Sequence, residues 1–301
     1  MGTPDFAIPS LELLRKKYDV AAVVTAVDKP QGHGNKLTPS PVKLYALKHN
    51  IPILQPDKLR NEDFLKQLDD INADVYVIVG FRMLPQCVWG RPRLGTINLH
   101  ASLLPDYRGA APINWVLFNG EKKTGLTTFF IDDKIDTGEI LQQTEERIFS
   151  CDTFETLYTR MKHKGAQLLL NTLVSVEEGT YKRQQQNSTA ALHTAPKLTP
   201  ELCNIDFSKS CEEVTNLVRG LSPKPGAYTM INDMRVKIFF CNPIKIPILS
   251  PGEFFTDGKN ILLFGTTDGF ISVQELQPEG RKKMTVKDFL AGYRTKIKQN
   301  K

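Results

Sequence analysis

The sequence predicts an α/β domain followed by a smaller β domain of OB-like barrel type, and three observations carry that reading. Short β-rich runs alternate with helical patterns through the first half of the chain, as in stacked βαβ units. A polar stretch poor in large apolar residues, 180–204, then breaks the pattern and reads as a linker. Beyond it, short β-type runs separated by turn signals have the spacing of a small barrel. The expected division is therefore 1–179, 180–204 and 205–301.

Strands of the first domain are expected at 19–25 (DVAAVVT), 51–54, 75–79 (VYVIV), 96–99 and 126–131, with an edge strand at 141–147. Helices are expected at 41–50, where Pro41 opens the first turn, and at 61–71. Asp152 and Glu155 begin a long helix in the manner of a capping box. Its apolar residues, from Phe154 and Leu157 to Leu173 and Val176, recur at helical spacing until Gly179 stops it. The second domain should hold a helix at 211–221 and strands at 228–231, 236–240, 261–264 and 271–276. Met1, Gly2, Thr3 and Pro4 read as the turn after a first strand, yet no strand precedes them. Either the sheet does without one or the sequence begins late.

Composition narrows the class. Of 301 residues, 41% are hydrophobic and 24% charged, ordinary for a soluble globular protein. No apolar run approaches the roughly 18 to 20 residues that span a bilayer, and the N-terminus lacks the sections of a secretory signal. Five scattered cysteines without a C-x-x-C pair argue against a disulfide framework or zinc site and for a reducing cytoplasm. The five histidines form no ligand cluster, so no metal is expected. The net charge of +6 is modest, but between 281 and 301 eight Lys or Arg residues face one acid, Asp288. Such a tail suits phosphate contact, although a solvated helix end has the same composition.

The chemistry concentrates in two segments. Asn98 and His100 lie two apart at the end of an expected strand, so their side chains share a face about 7 Å apart. The C-terminal ends of such strands are where open α/β sheets place ligands. A satisfied hydrogen-bonded edge would look the same. After them, Ser102, Leu103, Leu104 and Pro105, with Tyr107, Arg108 and Gly109, make a tight exit loop. Further on, Asp132, Asp133 and Asp136 precede Gly138 in a strand-to-strand connection, which alone is an ordinary turn. Together the segments offer an amide donor, an imidazole and a carboxylate, a set suited to acyl transfer.

The pattern Asn-x-His-x-Ser-Leu-Leu-Pro-x-Tyr-Arg-Gly followed by Asp-Thr-Gly resembles the signature of the 10-formyltetrahydrofolate-dependent formyltransferases. Further segments narrow the resemblance to the methionyl-tRNA formyltransferase branch: MGTPDFA at 1–7, KLTPSPVK at 36–43, GAAPI at 109–113 and LQPEGRKK at 276–283. They span nearly the whole chain in the expected order. The resemblance implies a Rossmann-like formyltransferase domain ahead of the OB-like domain, with Asn98, His100 and Asp136 as the catalytic core. It places the folate cosubstrate against Ser102, Leu103, Leu104 and Pro105, the backbone of Arg82, Met83 and Leu84, and the loop before Asp136.

Attack of a neutral amine on a formyl carbon builds negative charge on the formyl oxygen, so donors aimed there favour the transition state. Asn98 can supply one N–H and His100 another. A carboxylate such as Asp136 beside the ring favours its charged form and can hold a water that relays the amine's proton. The resemblance also implies initiator methionyl-tRNA as acceptor, read by a basic loop with Lys29, His33 and Lys36. Lys43 and the later Arg281, Lys282 and Lys283 are further expected contacts. Relatives often carry arginine where this chain has His33. A monomer is expected. Rival readings remain at this stage: a sugar-nucleotide formyltransferase, a formyltetrahydrofolate hydrolase, or a non-catalytic RNA-binding module.

Overall fold

The structure is a computed structural model that describes residues 1–31, 36–187 and 193–293. In chain order the first elements are α1 (Ile8–Lys17), β1 (Val23–Val24), β2 (Lys29–Gln31), β3 (Lys36–Thr38), α2 (Pro41–Lys48), β4 (Ile53–Leu54) and α3 (Glu62–Ile71). There follow β5 (Tyr76–Ile78), α4 (Gln86–Trp89), β6 (Thr96–His100), β7 (Arg108–Gly109), α5 (Pro112–Phe118), β8 (Lys123–Phe130), β9 (Ile140–Arg147) and α6 (Phe154–Glu177). The remainder is β10 (Thr194–Ala195), α7 (Cys211–Leu221), β11 (Ala227–Ile231), β12 (Met234–Ile244), β13 (Phe254–Thr256), β14 (Leu262–Gly265), β15 (Phe270–Pro278), β16 (Met284–Thr285) and α8 (Val286–Tyr293). Among the described residues no helix is long and apolar enough to cross a membrane.

The chain forms two compact units, and neither is continuous in sequence. Unit 1 comprises Met1–Gly109, Lys123–Arg147 and Tyr158–Thr194; unit 2 comprises Ala110–Lys122, Ile148–Leu157 and Ala195–Lys301.

In unit 1, β1 pairs with β4 in parallel and β5 with β6 in parallel, while β8 and β9 continue the second ladder antiparallel. Met1 and Gly2 lie between the two ladders: Gly2 N donates to Val24 O at 3.0 Å and Val79 N to Met1 O at 3.0 Å. The expected strand over 19–25 shrinks to Val23 and Val24, because only these residues find a partner on β4. Val20, Ala21 and Ala22 instead line a cavity of about 510 Å³ with Ser10, Leu14, Val77 and Val176. Asn61 caps α3 by accepting from Phe64 N at 3.1 Å, with Glu62 and Asp63 in the first turn, where acids suit the helix dipole. Ile97 and Leu99 on β6 are buried, as are Leu126 and Phe129 on β8 and Met161 and Leu169 on α6. The Asn98 and His100 side chains alternate with those apolar residues, as the pleat requires.

Unit 2 is the small antiparallel β domain that the sequence predicts, with strand order β11-β12-β15-β14-β13 and β16 beside β15. Its core joins Val236, Ile238, Phe264, Ile271, Val273 and Leu276 to Val214, Val218 and Leu221 of α7 and Phe289 of α8. The α7 start is a capping box: the Ser210 hydroxyl accepts from Glu213 N, and the Glu213 carboxylate accepts from Ser210 N. The expected strand at 236–240 runs on to Ile244 despite Pro243. Beyond Ile238, β12 keeps a neighbour only on the β15 side, so the missing N–H of Pro243 breaks no second ladder.

Candidate active site

Asn98 and His100 stand on one face at the C-terminal end of β6, where sequence spacing puts them. His100 is buried and Asn98 half-buried. The ring of His100 is held on both sides. Its Nε2 donates to Tyr107 O at 2.9 Å, and its Nδ1 lies 3.7 Å from Asp136 Oδ2. Among the described residues the Asn98 side chain has no recorded hydrogen bond, which leaves its amide for a ligand.

The Asp-Thr-Gly triplet works as a backbone device. Asp136 takes a left-handed conformation, φ 54°, which Asp tolerates better than most residues. Thr137 Oγ1 donates to Asp132 Oδ1 at 2.7 Å and ties the loop back on itself. A Cβ on Gly138 would sit 1.7 Å from Phe130 O, so only glycine lets the chain return to β9. The result presents Asp136 Oδ2 to Gly109 N at 2.9 Å as well as to His100. No hydrogen bond is recorded to Asp136 Oδ1 among the described residues.

The Ser-Leu-Leu-Pro loop is pinned from below. Ser102 Oγ donates to Asp106 O at 2.6 Å, so this hydroxyl is engaged in shaping the turn. Thr127 Oγ1, fully buried on β8, donates to Ser102 O at 2.7 Å and accepts from Leu104 N at 3.1 Å and Gln143 Nε2 at 2.8 Å. Gln143 Nε2 also donates to Leu104 O at 2.9 Å. Leu104 is buried against Phe129 and Ile140. Thr127 and Gln143 gave no sequence signal, because a buried polar residue in a strand looks like any β-former until its partners are known.

The 82–84 segment follows β5, the parallel neighbour of β6. Arg82 donates through Nη1 to Asp57 O at 2.9 Å and through Nη2 to Pro56 O. Leu84 is buried in the core, while the Met83 side chain is 71% exposed. Met83 thus presents an exposed thioether in the segment that follows β5.

Of the expected nucleic-acid contacts, Lys29 is exposed on the β2–β3 hairpin. His33 and the side chain of Lys36 lie outside the described residues. Lys43 is half-buried and ion-paired, with Nζ 2.7 Å from Asp28 Oδ2. That carboxylate also accepts from Gln55 Nε2 at 3.0 Å, and the two partners hold its pKa below the usual range. In unit 2, Arg281 and Lys282 are exposed, whereas Lys283 pairs with Glu275 at 2.5 Å and lies 5.7 Å from the Phe239 ring centre.

An amide at a strand end, an imidazole beside a carboxylate and an adjoining loop pinned by buried polar groups define an acyl-transfer type of site on an α/β sheet. Comparison with known proteins specifies it. Residues 3–173 match the family described as formyl transferase, and residues 197–294 match the formyl transferase C-terminal domain. The chain belongs to the formyl transferase family. It is 45% identical to a methionyl-tRNA formyltransferase of Bacteroides fragilis over 97% of this chain and 94% of that one. It is 42% identical to that of Geobacter metallireducens over 98% and 94%. Solved structures share the fold at lower identity. An N-formyltransferase from Helicobacter canadensis, in complex with folinic acid and dTDP-3-aminofucose, superposes with TM-score 0.65 at 21% identity, over 94% of this chain and 97% of that one. HypX from Aquifex aeolicus with tetrahydrofolic acid gives TM-score 0.60 at 19% identity, over 85% and 45%.

Proposed function

We propose that this chain transfers the formyl group of 10-formyltetrahydrofolate to the α-amino group of methionine on initiator tRNA. The observation that carries the reading is near-full-length identity of 45% to a methionyl-tRNA formyltransferase. The meeting of Asn98, His100 and Asp136, 38 residues apart in sequence at the extremes, supports it. The 45% identity, not the triad, separates this chain from the sugar N-formyltransferases, whose likeness at 19–23% identity is one of fold.

The residues divide the work. Asn98 donates its amide N–H to the formyl oxygen as negative charge develops there, a contribution worth about 3 to 4 kcal/mol at comparable sites. His100, fixed by Tyr107 O and lying beside Asp136, is the second polar group at the same place. Asp136 holds the ring through Oδ2 and leaves Oδ1 to take the amine's proton, directly or through a water. The backbone of 82–84 and the loop of Ser102, Leu103, Leu104 and Pro105 seat the folate. The cosubstrate supplies the formyl group: its bond from the formyl carbon to N10 breaks as the new bond to the amine nitrogen forms, and the proton taken from the amine passes to the leaving N10. Lys29, His33, Lys36, Arg281, Lys282 and Lys283 contact tRNA phosphates and the acceptor end, with Lys43 supporting the hairpin from its foot. The enzyme acts as a monomer in the cytoplasm.

The decisive assay combines the purified full chain, 10-formyltetrahydrofolate and a panel of initiator and elongator methionyl-tRNAs, uncharged tRNA and a dTDP-amino sugar. Formylation confined to charged methionyl-tRNA, with the initiator preferred, is expected. Formylation of the amino sugar, or folate hydrolysis without transfer, would overturn the reading.

A further inference from the structure

We infer that Gln186, from the polar stretch after α6, is a positioning residue that sets the Asp136 carboxylate against His100. The inference rests on the catalytic assignment above. The stretch is more than a tether. Gln184 exchanges backbone hydrogen bonds with Ile140 at 2.8 and 2.9 Å, which lays the following residues along the catalytic loop. Gln186 then spends both halves of its amide there. Nε2 donates to Asp136 O at 3.0 Å and to Gly138 O at 2.8 Å. Oε1 accepts from Arg108 Nη2 at 2.6 Å and Nε at 3.1 Å.

The chemistry of the neighbours fixes which end of the amide is which. Two carbonyl oxygens on one side need a donor, and a guanidinium on the other needs an acceptor, so a flipped amide would lose all of these bonds. Gln186 thus joins the two backbone segments whose separation decides the site. One carries Arg108 and Gly109, whose N–H binds Asp136 Oδ2. The other carries Asp136 itself, held at positive φ. A left-handed non-glycine residue persists only where its surroundings over-determine it. The bond to Asp136 O is part of that determination. Among the described residues Gln186 makes no hydrogen bond to the three catalytic side chains, so its effect on the reaction passes through the placement of Asp136.

The test uses the full-length enzyme with methionyl-tRNA and compares wild type, Gln186→Ala, Gln186→Glu, Asp136→Asn and the double variant Gln186→Ala/Asp136→Asn. Gln186→Ala should lower kcat about ten- to a hundredfold, the range for small misplacements of reacting groups, with KM for both substrates nearly unchanged. Gln186→Glu should do no better, since it keeps an acceptor for Arg108 but puts a lone pair against the two carbonyls. In the Asp136→Asn background, Gln186→Ala should change kcat by less than about twofold, because the group it positions is gone. A purely structural role would lower the thermal midpoint and cost the same factor of kcat in both backgrounds, and that result overturns the inference. So does unchanged kcat in Gln186→Ala alongside a slow Asp136→Asn. A fully active Asp136→Asn removes the catalytic assignment and this inference with it.

Discussion

Lys43 Nζ sits 2.7 Å from the carboxylate of Asp28, and the pair closes the foot of the β2–β3 hairpin. Thr25 and Ser40 hydroxyls meet at 2.8 Å beside it, and Ser40 also caps α2. The lysine that the sequence offers as a phosphate contact is thus engaged in holding the hairpin stem. Lys43→Met and Asp28→Asn should each weaken methionyl-tRNA affinity by about fivefold or less, the range of a partly exposed ion pair. The double variant should be no worse than either alone. Binding measured against salt should keep its log–log slope to well within one unit, since roughly one unit is lost per phosphate contact removed. Tighter binding in Asp28→Asn would show instead that Lys43 reaches phosphate and is restrained by its carboxylate.

Asn98→Ala and His100→Ala address the reaction itself. Each should lower turnover by roughly two orders of magnitude or more while leaving tRNA affinity nearly unchanged, as for groups aimed at charge that exists only in the transition state. Single-turnover formylation separates this from a binding defect. Near-wild-type turnover in either variant would take that residue out of the mechanism.

Thr127→Val keeps shape and removes the hydroxyl that Ser102 O, Leu104 N and Gln143 share. Leaving buried donors and acceptors unmatched costs about 1 to 3 kcal/mol. The variant should show a lower urea midpoint and, with the loop proposed to seat the folate loosened, a raised KM for 10-formyltetrahydrofolate. A changed midpoint with an unaltered folate KM would separate the loop's stability from its role in binding.

Asp268 accepts from Cys211 N at 2.7 Å at the start of α7, and that bond, the largest favourable cause, holds its pKa below the ordinary carboxylate value. A carboxyl with a depressed folded-state pKa stabilises above its unfolded value, and the contribution fades as pH falls through the folded one. Wild type should therefore exceed Asp268→Ala in stability at pH 7, and the gap should narrow as pH drops below about 4. Urea unfolding of both proteins across that range checks it; a gap independent of pH would assign the effect to packing.

The shared strand face of Asn98 and His100 and the turn that carries Asp136 were legible from local spacing, and the formyltransferase signature joined them into one candidate site. The helix at Cys211–Leu221 was legible from its Ser-x-x-Glu start and apolar spacing. What stayed hidden depends on distant partners. Gln186 looks like one of three glutamines in a polar run until the Arg108 guanidinium and the Asp136 and Gly138 carbonyls are beside it. Lys43 reads as a free cation until Asp28 is found across the hairpin. The strand through Pro243 was cut short because sequence alone does not say that one side of it lacks a neighbour. The short helix α5 was missed since its apolar residues show no polar alternation, being buried nearly all round.

Unit 2 draws Ala110–Lys122 and Ile148–Leu157 from ahead of the polar stretch. Within it, Asn114 Nδ2 donates to Gly220 O at 2.8 Å, Trp115 Nε1 to Pro196 O at 2.8 Å, and Arg219 Nη1 to Phe149 O at 3.3 Å. The ring of Phe118 lies where a side chain on Gly220 would have to go. Cutting the chain near residue 200 would therefore strip α5 of the helix that covers it and expose Ile113, Val116 and Leu117 together. A graft of this C-terminal module onto another formyl-transferring core has to carry two upstream segments, one of them including α5, with it. Each unit is assembled from segments that alternate along the chain with those of the other, and neither can be exchanged as a cassette.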